Sequence, residues 1–189
     1  MSNSANQAFN DQKLLPGLRV IQIKKFSDER GFFCERYVKN RFDDSTFNVN
    51  FVQDNHSRSK AGVIRGLHYQ HSPAQGKFVS VLRGRIWDVV VDLRSHSQTF
   101  GHHFGIELSD ENSLSLWVPG GFAHGFCVLG DEDADVIYKV DCPYSPKNEG
   151  GINFADPDLN IQWPVRDPIV AARDKALPLF AHYAQNPIF

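Results

Sequence analysis

The sequence predicts an all-β fold of the jelly-roll or barrel kind, and three observations carry that reading. Apolar runs short enough for strands recur from about Leu14 to residue 165, turn signals separate them, and helical content is plausible only in one late segment. Many strands with few helices are the pattern of sheets that close on themselves.

In chain order the runs are Leu18–Lys24, Phe32–Val38, Asn50–Ser57, Val63–Gln70, Phe78–Leu82, Arg85–Leu93, Phe104–Leu108, Ser113–Val118, His124–Leu129 and Asp135–Val140. Between them stand Asp28-Glu29-Arg30-Gly31, Ser72-Pro73-Ala74-Gln75-Gly76, Arg83-Gly84, Pro119-Gly120-Gly121 and Gly130-Asp131-Glu132-Asp133, whose glycines supply the positive φ of tight turns. The late segment Asp167–Ala184 can be helical, but Pro168, Pro178 and Pro187 keep any helix short. Residues 1–13 are polar without apolar periodicity and read as a flexible N-terminus. No linker, repeat or low-complexity tract follows, so residues 14–189 read as a single domain.

A length of 189 residues with 41% hydrophobic and 22% charged residues suits one domain with a sizeable core. The formal charge of −2 gives no basic footprint for nucleic acid or an anionic membrane, so an anionic ligand must be met by a local pocket. No stretch approaches the roughly 18 to 20 apolar residues of a membrane span, and the first residues lack a basic and apolar leader. A cytoplasmic protein is expected. Cys34, Cys127 and Cys142 are widely spaced and outside any CxxC pattern, which predicts three reduced, structural thiols.

The spacing of two histidine motifs narrows the jelly roll to the cupin type. The first has the form G-x5-H-x-H-x3-4-E-x6-G; here Gly62 reaches His68, but Gln70 stands at the second histidine position and Lys77 at the six-residue relation to Gly84 where glutamate belongs. The second, P-x-G-x-x-H, is met by Pro119, Gly121 and His124. The frame of a metal cupin is present without its ligand set, and an ammonium among the ligands would repel a cation, so no metal site is expected.

A lysine and histidines inside a barrel suit removal of a proton from carbon next to a carbonyl. Histidine accepts a proton near neutral pH, and a cation at the carbonyl oxygen stabilises the enolate. Strand alternation sends Gly66 and His68 to one face and Arg65 and Leu67 to the other. His68 can then point into the barrel, while Arg65 points away unless a bulge or twist redirects it.

Together, Asp28-Glu29-Arg30-Gly31-Phe32-Phe33, Phe51-Val52-Gln53-Asp54-Asn55-His56-Ser57, Arg65-Gly66-Leu67-His68-Tyr69-Gln70, Gln75-Gly76-Lys77, Trp117-Val118-Pro119-x-Gly121-Phe122-Ala123-His124-Gly125-Phe126, Tyr138-Lys139 and Tyr144-Ser145-Pro146 resemble the dTDP-4-dehydrorhamnose 3,5-epimerase family, in the family's order and from about residue 14 to 180. The resemblance implies a homodimeric cupin-type jelly roll with short C-terminal helical segments and no metal or organic cofactor. Its implied reaction is epimerisation at C3 and C5 of dTDP-4-dehydro-6-deoxy-D-glucose to dTDP-4-dehydro-L-rhamnose, in the dTDP-L-rhamnose route to surface polysaccharides.

By motif match, His68 resembles the base, Asp174 its dyad partner, Tyr138 the acid on the opposite face of the ring, and Lys77 the group that stabilises the enolate oxygen. Arg30, Glu35, Gln53, Asp54, Asn55, Arg65, His124, Glu149 and Arg173 fall where the family binds the sugar nucleotide, and Tyr144 resembles the aromatic that stacks on thymine. Two departures stand out: Arg173 replaces an expected lysine, and the acidic Gly130–Ala134 turn differs in length. Neither removes a catalytic group. The competing readings are epimerisation at one carbon, ketone isomerisation of another dTDP-sugar, a metal-dependent cupin, and a silent sugar-nucleotide-binding module.

Overall fold

A computed structural model describes residues 14–41, 43–44 and 47–189; the polar segment 1–13 lies outside the described residues. Fifteen strands are present among them: β1 Arg19–Gln22, β2 Lys25–Asp28, β3 Gly31–Cys34, β4 Asp43–Asp44, β5 Phe47–Asn48, β6 Gln53–Ser59, β7 Val63–Gln70, β8 Lys77–Arg83, β9 Arg85–Asp92, β10 His103–Ser109, β11 Leu114–Val118, β12 Phe122–Val128, β13 Ala134–Val140, β14 Glu149–Gly151 and β15 Ile169–Val170. Two short helices follow, α1 Ala172–Lys175 and α2 Phe180–Gln185. Each predicted run holds a strand. The short strands β2, β4, β5, β14 and β15 carry too few residues to show a period in sequence.

The strands form the expected jelly roll of two facing sheets. One has the order β1-β11-β8-β13-β6 and the other β10-β9-β12-β7-β14, with β15 also on β7. All neighbours are antiparallel except β15, which runs parallel to β7. Alternation is clean: Leu114, Leu116 and Val118 of β11 join Ile86 and Val90 of β9 and Phe122, Phe126 and Val128 of β12 between the sheets.

The opposite faces are covered too. Val89, Val91 and Ala123 pack outward with Leu67 and Tyr69 beneath Ile152, Leu159 and Tyr183 of the C-terminal segment. On the other sheet Phe78 and Trp117 turn outward beneath Ile23, with Ile21, Tyr37 and Phe51 against them. Two-sided burial explains why β11 and β12 are buried at every residue and read in sequence as apolar runs.

One end of the space between the sheets is filled by apolar side chains, aromatic as well as aliphatic, and the other opens into a cavity. The β2–β3 hairpin pairs with neither large sheet and exposes Phe26, Phe32 and Phe33 at 49%, 54% and 65%.

Candidate active site

The site begins with an irregularity in β7. His68 lies opposite His124, but Arg65 lies opposite Phe126, so three steps along β7 match two along β12. The extra residue is Gly66, with φ of +123°; a Cβ there would stand 2.6 Å from the Gly125 Cα and 2.9 Å from the His124 carbonyl oxygen. Only glycine fits this bulge. The bulge corrects the simple alternation read from sequence, because it re-phases the strand and brings Arg65 to the same cavity as His68 while Leu67 packs on the outer face.

On the other edge of β7, β15 pairs with Val63 and Ile64, and β14 with His68 to Gln70. Between them the Gly66 amide donates to Asp174 Oδ2 at 3.2 Å, and Asp174 Oδ1 lies 2.8 Å from His68 Nε2. The carboxylate of α1 thus closes a gap in the sheet edge and orients the imidazole at once. Burial alone would raise the Asp174 pKa, but the hydrogen bonds from His68, Gly66 and Arg173 outweigh it and hold the group ionised below its ordinary range. Burial lowers the His68 pKa, Asp174 opposes that shift, and the cations of Lys77 and Arg173 reinforce it; the net direction is down.

The cavity holds about 800 Å³, within the range of small-ligand sites. From the six-stranded sheet it receives Arg65, His68, Gln70 and His124, and from the facing sheet Gln53, Asn55, Lys77 and Tyr138. Tyr144, Glu149, Arg173 and Asp174 complete its wall. His68 and Tyr138 therefore line the cavity from opposite sheets. Burial raises the Tyr138 pKa, keeping its hydroxyl protonated. Lys77 is pulled down to about 8 by burial, against the pull of Glu149 and Asp88, and its Nζ lies 3.4 Å from the His68 carbonyl oxygen.

At the mouth, Tyr144 is half exposed and its hydroxyl donates to Glu149 at 2.8 Å. Arg173 holds Glu149 with both terminal nitrogens, at 2.8 and 3.2 Å, and reaches Asp174 at 3.3 Å. Gln53 donates to Asn55 at 2.9 Å and accepts the Tyr144 amide at 3.1 Å.

Three residues expected at the site are not on the wall of this chain's own cavity. Arg30 is at the tip of the β2–β3 hairpin, paired with Asp28, and Glu35 is exposed just beyond β3. Asp54 alternates away from Gln53 and Asn55 and bonds Lys139 at 2.8 Å on the outer face of β6. The acidic Gly130–Ala134 turn lies at the end of β13 remote from Tyr138, where Glu132 meets Arg83 at 3.3 Å.

Sequence reading missed Asp88, whose Oδ2 lies 2.8 Å from His124 Nε2. It also missed Gln70, whose side-chain oxygen takes the Ser145 amide at 2.8 Å and anchors the segment bearing Tyr144. The signal for Asp88 was available: an acidic residue inside Ile86–Leu93, a run in which Asp92 is the one other charged residue, calls for a partner.

A jelly roll of the cupin type whose cavity is lined by a histidine–carboxylate pair, a half-buried lysine and a tyrosine from the facing sheet is an isomerase of the cupin class. The chain belongs to the dTDP-4-dehydrorhamnose 3,5-epimerase family, whose model matches residues 12–182. It is 49% identical over 162 residues to the dTDP-4-dehydrorhamnose 3,5-epimerase of Shigella flexneri, spanning 85% of this chain and 89% of that protein. Among solved structures it resembles a dTDP-6-deoxy-D-glucose-3,5-epimerase of Legionella pneumophila in complex with dTDP-4-keto-L-rhamnose, with TM-score 0.82 and 46% identity over 86% of this chain and 87% of the other. A dTDP-4-dehydrorhamnose 3-epimerase of Streptomyces niveus is 36% identical over 169 residues, 88% of this chain and 81% of that protein.

Proposed function

We propose that this chain epimerises dTDP-4-dehydro-6-deoxy-D-glucose at C3 and C5, giving dTDP-4-dehydro-L-rhamnose for dTDP-L-rhamnose synthesis. The observation that carries the reading is the placement of His68 and Tyr138 on opposite walls of one cavity, with Lys77 between the sheets beside them. Inversion needs a base on one face of the ring and an acid on the other, because a single group can only return the proton to the side it came from.

In this reading His68, oriented by Asp174, takes the proton from carbon next to the C4 ketone. The ammonium of Lys77 stabilises the enolate oxygen, and Tyr138 delivers a proton from the far side. The cycle repeats at the second carbon. Arg65, Arg173 and His124 bind the sugar nucleotide with Gln53, Asn55 and Glu149, and Tyr144 stacks on thymine at the mouth. No metal enters this chemistry: Gln70 and Lys77 border His68 where a divalent cation would need anionic or neutral nitrogen donors.

Arg30 and Glu35 join the site from a second copy. The exposed Phe26, Phe32 and Phe33 of the hairpin support a homodimer in which that hairpin is covered and Arg30 and Glu35 reach the partner's cavity. Residues 14–189 act as one unit in that dimer. The free thiols of Cys34, Cys127 and Cys142 suit the cytoplasm.

Incubation with dTDP-4-dehydro-6-deoxyglucose in deuterated water, followed by NMR, tests the reaction and substrate together. Deuterium is expected at C3 and C5. Label at one carbon alone would replace this assignment with the single-carbon reaction, a reading that the likeness to a 3-epimerase keeps specific.

A further inference from the structure

Asp88 has no part in the chemistry described so far, yet its setting is unusual. It points from β9 toward the space between the sheets and is wholly buried. Oδ2 is held by His124 at 2.8 Å, while Oδ1 has no hydrogen-bond partner. A buried carboxylate with an unsatisfied oxygen is costly, and such groups persist where something else uses their charge. Two groups on the cavity wall do so here. His124 bonds it directly, and Lys77, whose Nζ lies 3.4 Å from the carbonyl oxygen of His68 opposite His124, feels its charge.

A carboxylate can only accept, so the hydrogen shared with His124 sits on Nε2, which leaves Nδ1 as the ring nitrogen free to meet a ligand. His124 lines the cavity and lies opposite His68 across the strand pair. The two imidazoles are built alike: in each, Nε2 is tied to a buried carboxylate.

We propose that Asp88 is a positioning residue for this site: it fixes His124 with Nδ1 available to a hydroxyl of the keto sugar and holds Lys77 in place as a cation. The inference rests on the epimerase reading for the substrate but not for the electrostatics. The charged and titratable groups sharing the cavity with Lys77 or lying against it are Arg65, His68 and Tyr69 on β7, Asp88 on β9, His124 on β12, Tyr138 on β13, Cys142 and Tyr144 in the next loop, Glu149 on β14, and Arg173 and Asp174 on α1. Asp141 nearby is turned to the Gly76 amide at 2.8 Å. Asp88 and Glu149 are the carboxylates whose charge opposes the loss of the lysine proton.

The test is Asp88→Asn, which keeps shape and removes charge, with Asp88→Glu as the variant that restores it. For Asp88→Asn, kcat/KM is expected to fall about 10- to 100-fold, and the alkaline limb of its pH profile to move to lower pH. Asp88→Glu should return that limb to the wild-type position. NMR titration of the Lys77 side chain, assigned with Lys77→Met, reads the same shift without turnover; its midpoint should drop in Asp88→Asn. If wild type is inactive on the keto sugar, the epimerase reading fails while this titration still decides the role of Asp88. A folded Asp88→Asn with unchanged kcat/KM, or an unmoved Lys77 midpoint, would overturn the proposal. If Asp88→Asn does not fold, Asp88→Ser, which also removes the charge, decides instead: a lowered Lys77 midpoint would support the proposal and an unmoved one would overturn it.

Discussion

Asp174 Oδ1 stands 2.8 Å from His68 Nε2 while its other oxygen takes the amide of Gly66 at 3.2 Å, so one carboxylate orients the imidazole and secures the strand that carries it. The two bonds fix the imidazole against rotation and tie α1 to β7. The bond to His68 also favours the protonated imidazole, the state that the proposed reaction reaches after proton abstraction.

Replacement Asp174→Asn is expected to lower kcat by about 10²- to 10⁴-fold while leaving ligand affinity within a few-fold. Asp174 raises the His68 pKa against burial, so its loss should also move the acid limb of kcat/KM to lower pH. Steady-state kinetics across pH, with calorimetric binding of dTDP, separate these effects. Unchanged kcat would remove Asp174 from the base.

The wild-type profile of kcat/KM should be a bell. His68 accepts a proton only when neutral, and burial places its pKa below the usual 6.5, so activity is lost as pH falls through that lower value. Lys77 stabilises an enolate only when charged, so the alkaline limb should lie near 8. A flat profile between pH 7 and 10 would contradict the assigned role of Lys77.

Lys77 is also a liability for the fold. Its folded pKa of about 8 lies below the ordinary 10.5, so the folded state binds the proton less tightly than the unfolded chain. The group therefore destabilises the protein fully below pH 8, and that cost fades as pH rises from 8 to 10.5. Lys77→Met should abolish turnover yet raise stability at pH 7 by on the order of 2 kcal/mol, with the advantage shrinking toward pH 10. Thermal unfolding of both proteins across this range is the check.

Tyr138→Phe should uncouple exchange from inversion. His68 and Lys77 remain, so C3 and C5 hydrogens should still exchange with deuterated water, but without an acid on the opposite wall the product keeps the starting configuration. NMR reads label and configuration in one sample. Normal inversion by this variant would place the acid elsewhere.

Gly66→Ala tests the bulge. The added methyl meets the Gly125 Cα and the His124 carbonyl, neither of which can move without breaking the β7–β12 pairing. A loss of more than about 2 kcal/mol in urea unfolding is expected, since the positive φ adds strain to the clash. A stable, active variant would mean that the strands separate more easily than this geometry allows.

Most of the architecture was legible because strands declare themselves locally. Runs such as Arg85–Leu93 alternate between two covered faces, and glycine turns mark their ends, so each run could be read without knowing its partner. The spacing of Gly62, His68, Lys77, Gly84 and His124 likewise survives as a count along the chain. That count by itself implies that His68 and Lys77 gather inside the barrel.

What depended on tertiary structure was whatever involves two strands or distant segments at once. Arg65 shares a cavity with His68 because β7 carries one residue more than β12 opposite it, and register between strands is not written in either strand alone. Asp174 meets His68 across 106 residues because β14 and β15 leave a gap on the edge of β7. Arg30 lies in a hairpin and Glu35 just beyond it, and the place of both depends on what the hairpin packs against; Asp54 faces outward by the same alternation that turns Gln53 and Asn55 inward. The residue types for proton transfer belong to the sequence. Their convergence on one cavity follows from long-range pairing, whose energies no local window contains.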